Sequence, residues 1–112
     1  MTPGEIVHAQ FDAYNAQDVD TMCSFYADDC AFVDFHGAAF IADRAALHAH
    51  FTKVFAANPQ NRSYSADRMT IGNIVVDHEV NQRSPEAPAT HSVIVYVIRD
   101  GFIAHVAAGK PD

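Results

Sequence analysis

Apolar positions recur at helical spacing in the first half of the chain, and from Ser63 onward they alternate with polar ones, so helices come first and strands last. Thr2 is a candidate N-cap, with Pro3 at the first helical position and Glu5 at the capping-box distance. The helix it starts carries Val7, Phe11 and Tyr14 in one stripe, flanked by Ile6 and Gln10. Residues 15–17 read as a break, and Asp18 as the N-cap of a short second helix over 19–26 that buries Met22, Cys23 and Phe25 or Tyr26. A strand over 30–37 ends at Gly37, and 38–41 returns as a short partner. A third helix over 45–57 places Leu47, Phe51, Val54 and Phe55 on one side and stops before Asn58-Pro59.

Four further strands are predicted over 69–71, 74–82, 92–98 and 102–106. Gly72-Asn73, the 85–88 loop and Asp100-Gly101 separate them, the last being a strong hairpin signal. The fold class expected is α+β: three N-terminal helices packed on one face of a curved, mostly antiparallel sheet, with residues 1–112 forming a single domain. Strand 92–98 is apolar on both faces, and helices cover only one. The outer sheet face is therefore expected to meet a second copy of the chain in a homodimer.

Composition narrows the function. A chain of 112 residues with 49% hydrophobic content holds one core. A formal net charge of −7 and scattered cations argue against nucleic acid or an anionic membrane surface as partner. No apolar run has the length of a membrane span, and the N-terminus lacks the pattern of a secretory leader, so a cytoplasmic location is expected. Cys23 and Cys30 fit small buried thiols in a reduced compartment, although a bridge between them is not excluded by sequence. His48 and His50 point to different sides of a helix and no His-Glu-x-x-His motif is present, so no metal and no other cofactor is expected. There is no phosphate-binding glycine loop and no nucleophile elbow.

The candidate chemistry centres on Asp34, one carboxylate in an otherwise apolar strand, with Phe32 and His36 on the same face. In a pocket beside aromatic rings, loss of water would weaken Asp34 as an acid and make it a better base near neutral pH; on a wet face it is a solvated strand residue. In strand 74–82, alternation groups His78 with Ile74, Val76 and Val80 on the apolar face, and puts Asp77 and Glu79 on the other as solvated or interface charges. His78 is then a proton shuttle or carbonyl polariser, or else a core histidine satisfied by one backbone carbonyl.

Tyr14 to Asp18, Phe25 to Cys30, Asp34, Ile71 to Glu79, and Tyr96 to Ile103 together resemble the nuclear transport factor 2-like superfamily, in its SnoaL-like and ketosteroid-isomerase-like branch. The resemblance implies a cone of bent sheet wrapped on helices, with a pocket open at one end. It implies a general-base role for Asp34, which stands at the family's distance after Ala27-Asp28-Asp29. In the steroid isomerases of that branch a Tyr and a protonated Asp bind the enolate oxygen. Here the Tyr position is held by Gln10 and the second donor position falls near Ile94 or Val95, so Tyr14, one turn on from Gln10, offers the substitute hydroxyl.

Two functions remain open on the sequence. One is a cofactor-free acid/base enzyme, isomerase-, cyclase- or dehydratase-like, acting on a small apolar ring-containing carbonyl compound. Its catalytic residues would be Asp34, Tyr14 and His78, in a pocket of Gln10, Phe32, His36, Phe51 and Val76. The other is a non-catalytic binder of a hydrophobic small molecule.

Overall fold

The computed structural model describes residues 1–111. Helix α1, Pro3–Asn15, begins at the capping box, in which Glu5 N–H donates to the Thr2 hydroxyl and the Glu5 carboxylate accepts from Thr2 N–H. It ends where Gln17 takes a positive φ of 57°, and Asp18 then caps α2, Val19–Ser24, by accepting from Thr21 N–H. Strand β1, Tyr26–Asp34, starts earlier than its apolar run, and β2, Ala39–Ile41, turns back on it. Helix α3, Arg44–Ala57, is capped by Asp43. Strands β3, Arg62–Ile71, β4, Ile74–Gln82, β5, Thr90–Arg99, and β6, Phe102–Gly109, complete the chain.

The six strands form one sheet in the order β2-β1-β6-β5-β4-β3. Every pair is antiparallel except β1 with β6. The β5–β6 turn is Asp100-Gly101, both at positive φ (53° and 81°), as a two-residue hairpin of right-handed strands requires. The first seven of the ten residues of β3 fall outside the predicted strand, because Arg62 to Arg68 is too polar to show alternation. The helices pack against one face of the sheet, and Val7, Met22, Leu47, Val75 and Ile103 are sealed in the shared core.

One core residue is an acid. Asp77 on β4 is fully buried, and its carboxylate receives two parallel bonds from Arg68, Nε to Oδ1 at 2.7 Å and Nη2 to Oδ2 at 2.9 Å. Arg68 faces Asp77 across the β3–β4 ladder, lies 5.9 Å from the centre of the Phe11 ring, and donates to Gly4 C=O. The expected assignment of Asp77 to a solvated face is therefore corrected: it points inward and is neutralised there. Removing the guanidinium would leave a buried charge unpaired. Arg68→Ala is expected to lower stability by about 3 kcal/mol, the lower end of the range for such breaks because Arg68 keeps some contact with water. Replacing Arg68 and Asp77 together by Met and Leu should recover most of the loss in denaturant unfolding.

Candidate functional site

Between the helices and the inner face of the sheet lies a cavity of about 220 Å³. Its wall is mostly aromatic and aliphatic: Phe11 and Tyr14 from α1, Phe51 and Val54 from α3, Tyr26 and Phe32 from β1, and Ile94, Tyr96 and Val106 from β5 and β6. Aromatic rings meet edge-on, Tyr14 with Phe55 at 5.1 Å and with Phe51 at 5.7 Å between centroids, which fixes the α1–α3 side of the wall.

The acid in this cavity is Glu79. Because Val75, Asp77, Glu79 and Asn81 form the inner face of β4, Glu79 is the next inward side chain after the neutralised Asp77. It makes no ion pair among the described residues. Burial raises its pKa above the ordinary glutamate value, a nearby Asp77 adds to the rise, and the Ser63 hydroxyl and the more distant Arg83 and Lys110 oppose it. A carboxyl group so placed is a stronger base once ionised than one in water.

Two hydrogen-bond donors line the same cavity from α1. The Tyr14 hydroxyl oxygen accepts from Asn61 Nδ2 at 2.6 Å and from Asn81 Nδ2 at 3.2 Å. The Asn61 bond occupies one lone pair, the Asn81 contact is the longest of four that share two amide hydrogens, and the Tyr14 proton has no acceptor among the described residues. Gln10, buried, accepts from the Tyr26 hydroxyl at 3.0 Å through Oε1, while its amide nitrogen makes no hydrogen bond among the described residues. Since no buried polar atom of the described residues is left without a partner or a path to solvent, that nitrogen opens onto the cavity. Tyr26 and Tyr96 are fully buried phenols whose pKa values are pushed well up, first by burial and then by Glu79, so both remain protonated donors.

Of the residues singled out in the sequence, Gln10, Tyr14, Phe32 and Phe51 line the cavity. Asp34 does not. It stands at the end of β1, where its Oδ1 accepts from His36 N–H at 2.9 Å and Ala38 N–H at 3.0 Å, closing the turn into β2 around Gly37 at φ 88°. His36 is exposed on that turn. Val76 and His78 are on the outer face of β4, where His78 Nε2 and His91 Nδ1 are 2.8 Å apart in the open. The inward face of β4 is thus the polar one, opposite to the alternation rule. Arg68 satisfies Asp77, Asn81 bonds to Ser63 and Asn61, Val75 shares this inward face, and Val76 and Val80 lie on the outer one. Glu79 was missed for this reason. The two-residue turn at Gly72-Asn73 sets the register that pairs Arg68 with Asp77, and that cross-strand pair was the signal available.

No three His, Cys, Asp or Glu side chains converge on a metal position among the described residues. Cys23 and Cys30 are free and buried. Burial pushes the Cys30 thiol up to about 11 and raises Cys23 as well, so neither is a thiolate nucleophile near neutral pH. No helix of the described residues is long and apolar enough to cross a membrane.

None of the curated proteins matches this chain in sequence. Among solved structures, an uncharacterized cystatin-fold protein from Novosphingobium aromaticivorans is 28% identical, with a TM-score of 0.90 over 98% of this chain and 99% of that one. A protein of ketosteroid isomerase-like fold from Catenulispora acidiphila, solved with trimethylamine, is 19% identical at TM-score 0.78, covering 97% and 86%. A proposed polyketide cyclase from Sinorhizobium meliloti is 21% identical at TM-score 0.78, covering 94% of each chain. The last two likenesses establish the fold. The family model for the SnoaL-like domain matches residues 7–106, nearly the whole of the α+β cone described above, and this chain belongs to that family.

Proposed function

We propose that this chain is a cofactor-free acid/base enzyme that moves a proton next to the carbonyl of a small, largely apolar ring compound held in the cone. Glu79 is the base, and the Tyr14 hydroxyl and Gln10 amide receive the developing enolate oxygen. The observation that carries the reading is an unpaired carboxyl group whose pKa is raised by burial, in an aromatic cavity that also presents donors with no other acceptor. Such donors stabilise charge as it forms without having to reorganise. The base role expected of Asp34 passes to Glu79, because Asp34 does not line the cavity and its Oδ1 holds two backbone N–H groups of the β1–β2 turn. The proposed cyclase relative from Sinorhizobium meliloti suits carbonyl chemistry. The trimethylamine held by the Catenulispora protein instead suits a second reading, a non-catalytic binder of a small molecule.

The outer sheet face pairs with a second copy of the chain. Val93, Ile74 and Met69 are exposed there and Val95 and Val97 are half-buried, an apolar surface beyond what one molecule covers. The two free cysteines suit a reducing, cytoplasmic setting.

Exchange of the α-protons of 2-tetralone in heavy water, followed by NMR, tests the enzyme reading. Glu79→Gln is expected to lose roughly 10²–10⁴-fold in rate, and Tyr14→Phe about 10²-fold. Asp34→Asn, which still accepts at the turn, should change little. Full activity in Glu79→Gln would sink the assignment; binding of the ketone with no exchange by the parent protein would favour the binder.

Stability against pH gives a second test that needs no substrate. The Glu79 pKa is higher folded than its ordinary value of 4.5, so the folded chain holds this proton more tightly than the unfolded one. That contribution is complete below 4.5 and is lost as pH rises through the folded value. Glu79→Gln should therefore melt a few degrees above the parent at neutral pH, and the two curves should meet in acid. For the homodimer, sedimentation should give twice the chain mass, falling to one in Val93→Glu with unchanged circular dichroism.

A further inference from the structure

The cavity is graded from floor to rim. On β5, which enters the sheet at the open end, the residues lining it run Thr90, Ser92, Ile94, Tyr96 from the rim inward. On β6 they run Val106 and Ala108 outward to Lys110, just past the strand. On β4 the order is Glu79, Asn81, then Arg83, one residue beyond the strand end. Because β4 and β6 both run antiparallel to β5, Arg83 and Lys110 emerge at the same end, on either side of Thr90 and Ser92. Two strand spacings and a stagger of about four residues separate their backbones, roughly 16 Å, a gap that an arginine and a lysine side chain reaching toward each other can still close upon a single carboxylate.

These two cations stand out in so acidic a chain. Of its seven Lys and Arg residues, Arg44, Arg68 and Arg99 are held by Asp28, Asp77 and Asp29. Among the described residues Arg83 and Lys110 make no ion pair or side-chain hydrogen bond, and neither reaches Glu79 within ion-pair distance. The remaining two, Lys53 and Arg62, do not line the cavity. The acid nearest the rim on the strand beside β6 is Asp34, whose Oδ1 is occupied by the β1–β2 turn.

We infer that the compound taken by this cavity carries a carboxylate at the end opposite its apolar ring, seated between Arg83 and Lys110 with Thr90 and Ser92 as further donors. This rests on the proposed acid/base reading for the role of the inner end only. The ring fills the aromatic floor, the reacting carbonyl lies beside Glu79, Tyr14 and Gln10, and the anion remains at the wet rim, where charge-assisted bonds form without full desolvation.

The test uses two near-isosteric probes, 2-naphthoate and 2-naphthamide, titrated calorimetrically against the full chain. Naphthoate is expected to bind about tenfold more tightly, the difference that one or two charge-assisted bonds supply, and to lose that advantage at high salt. In R83Q/K110Q, which alters two exposed residues without ion-pair partners among the described residues, the naphthoate affinity should fall to that of the amide while the amide is unaffected. Equal binding of the two probes by the parent, a preference that survives the double substitution, or binding of neither probe would overturn the inference. The acid/base reading is judged separately by Glu79→Gln in the exchange assay, since that substitution should leave the naphthoate preference in place.

Discussion

The bidentate pairing of Arg68 with Asp77 is the constraint on which the cone depends. A bent sheet that wraps on helices has to bury its concave face, and β4 brings a carboxylate to the middle of it. An isolated charge there would be untenable. Arg68 resolves this from the neighbouring strand, and at the same time touches α1 through the Phe11 ring and Gly4 C=O. The pair therefore fixes three things together: the β3–β4 register, the inward sense of β4, and the seat of α1 on the sheet. A slip of one residue would turn Asp77 outward and Val76 inward, leaving Arg68 without its partner.

With the register set, the next inward position of β4 is also fixed, and it holds a second acid in a different environment. Asp77 has a cation, whereas Glu79 has the Ser63 hydroxyl and aromatic neighbours. Two carboxylates on one strand face are thus separated in role by what lies across from them. The same strand supplies Asn81, whose two amide hydrogens are shared among Ser63, Asn61, Arg62 C=O and Tyr14. That network is what orients the Tyr14 hydroxyl, so the donor on α1 and the acid on β4 are positioned by one element.

Much of the architecture was legible because its signals are local. The Thr2 and Glu5 capping box, the break before Asp18, the Asp100-Gly101 turn and the span of β4 need only neighbouring residues to be recognised. The wall of α1 was legible too, since Gln10 and Tyr14 follow a helical stripe. The facing of β4 was not. Alternation reports that two faces differ, and the usual rule sends the polar one to water. Here long-range partners satisfy the polar face inside, and the sequence of β4 alone cannot reveal them. Asp34 lies away from the cavity for a related reason: an aspartate shortly before a turn glycine is equally suited to hold backbone N–H groups, and the turn at Gly37 takes it.

The distinction between scaffold and chemistry in this fold is one of hydrogen-bonding capacity left over. Asp77, Ser63, Asn61 and Asn81 are polar groups of the concave side whose partners are all protein. Their amide, hydroxyl and carboxylate groups are engaged mainly in holding β3, β4 and α1 together. Glu79 retains acceptor capacity, Tyr14 retains its proton, and Gln10 retains its amide nitrogen, all on one cavity. Buried groups with unused valence are costly in a folded chain unless water or a ligand meets them. A cavity walled by aromatic rings gives water few partners, so under the proposed acid/base reading the groups with capacity to spare are the ones that a bound carbonyl compound, apolar around its oxygen, would satisfy.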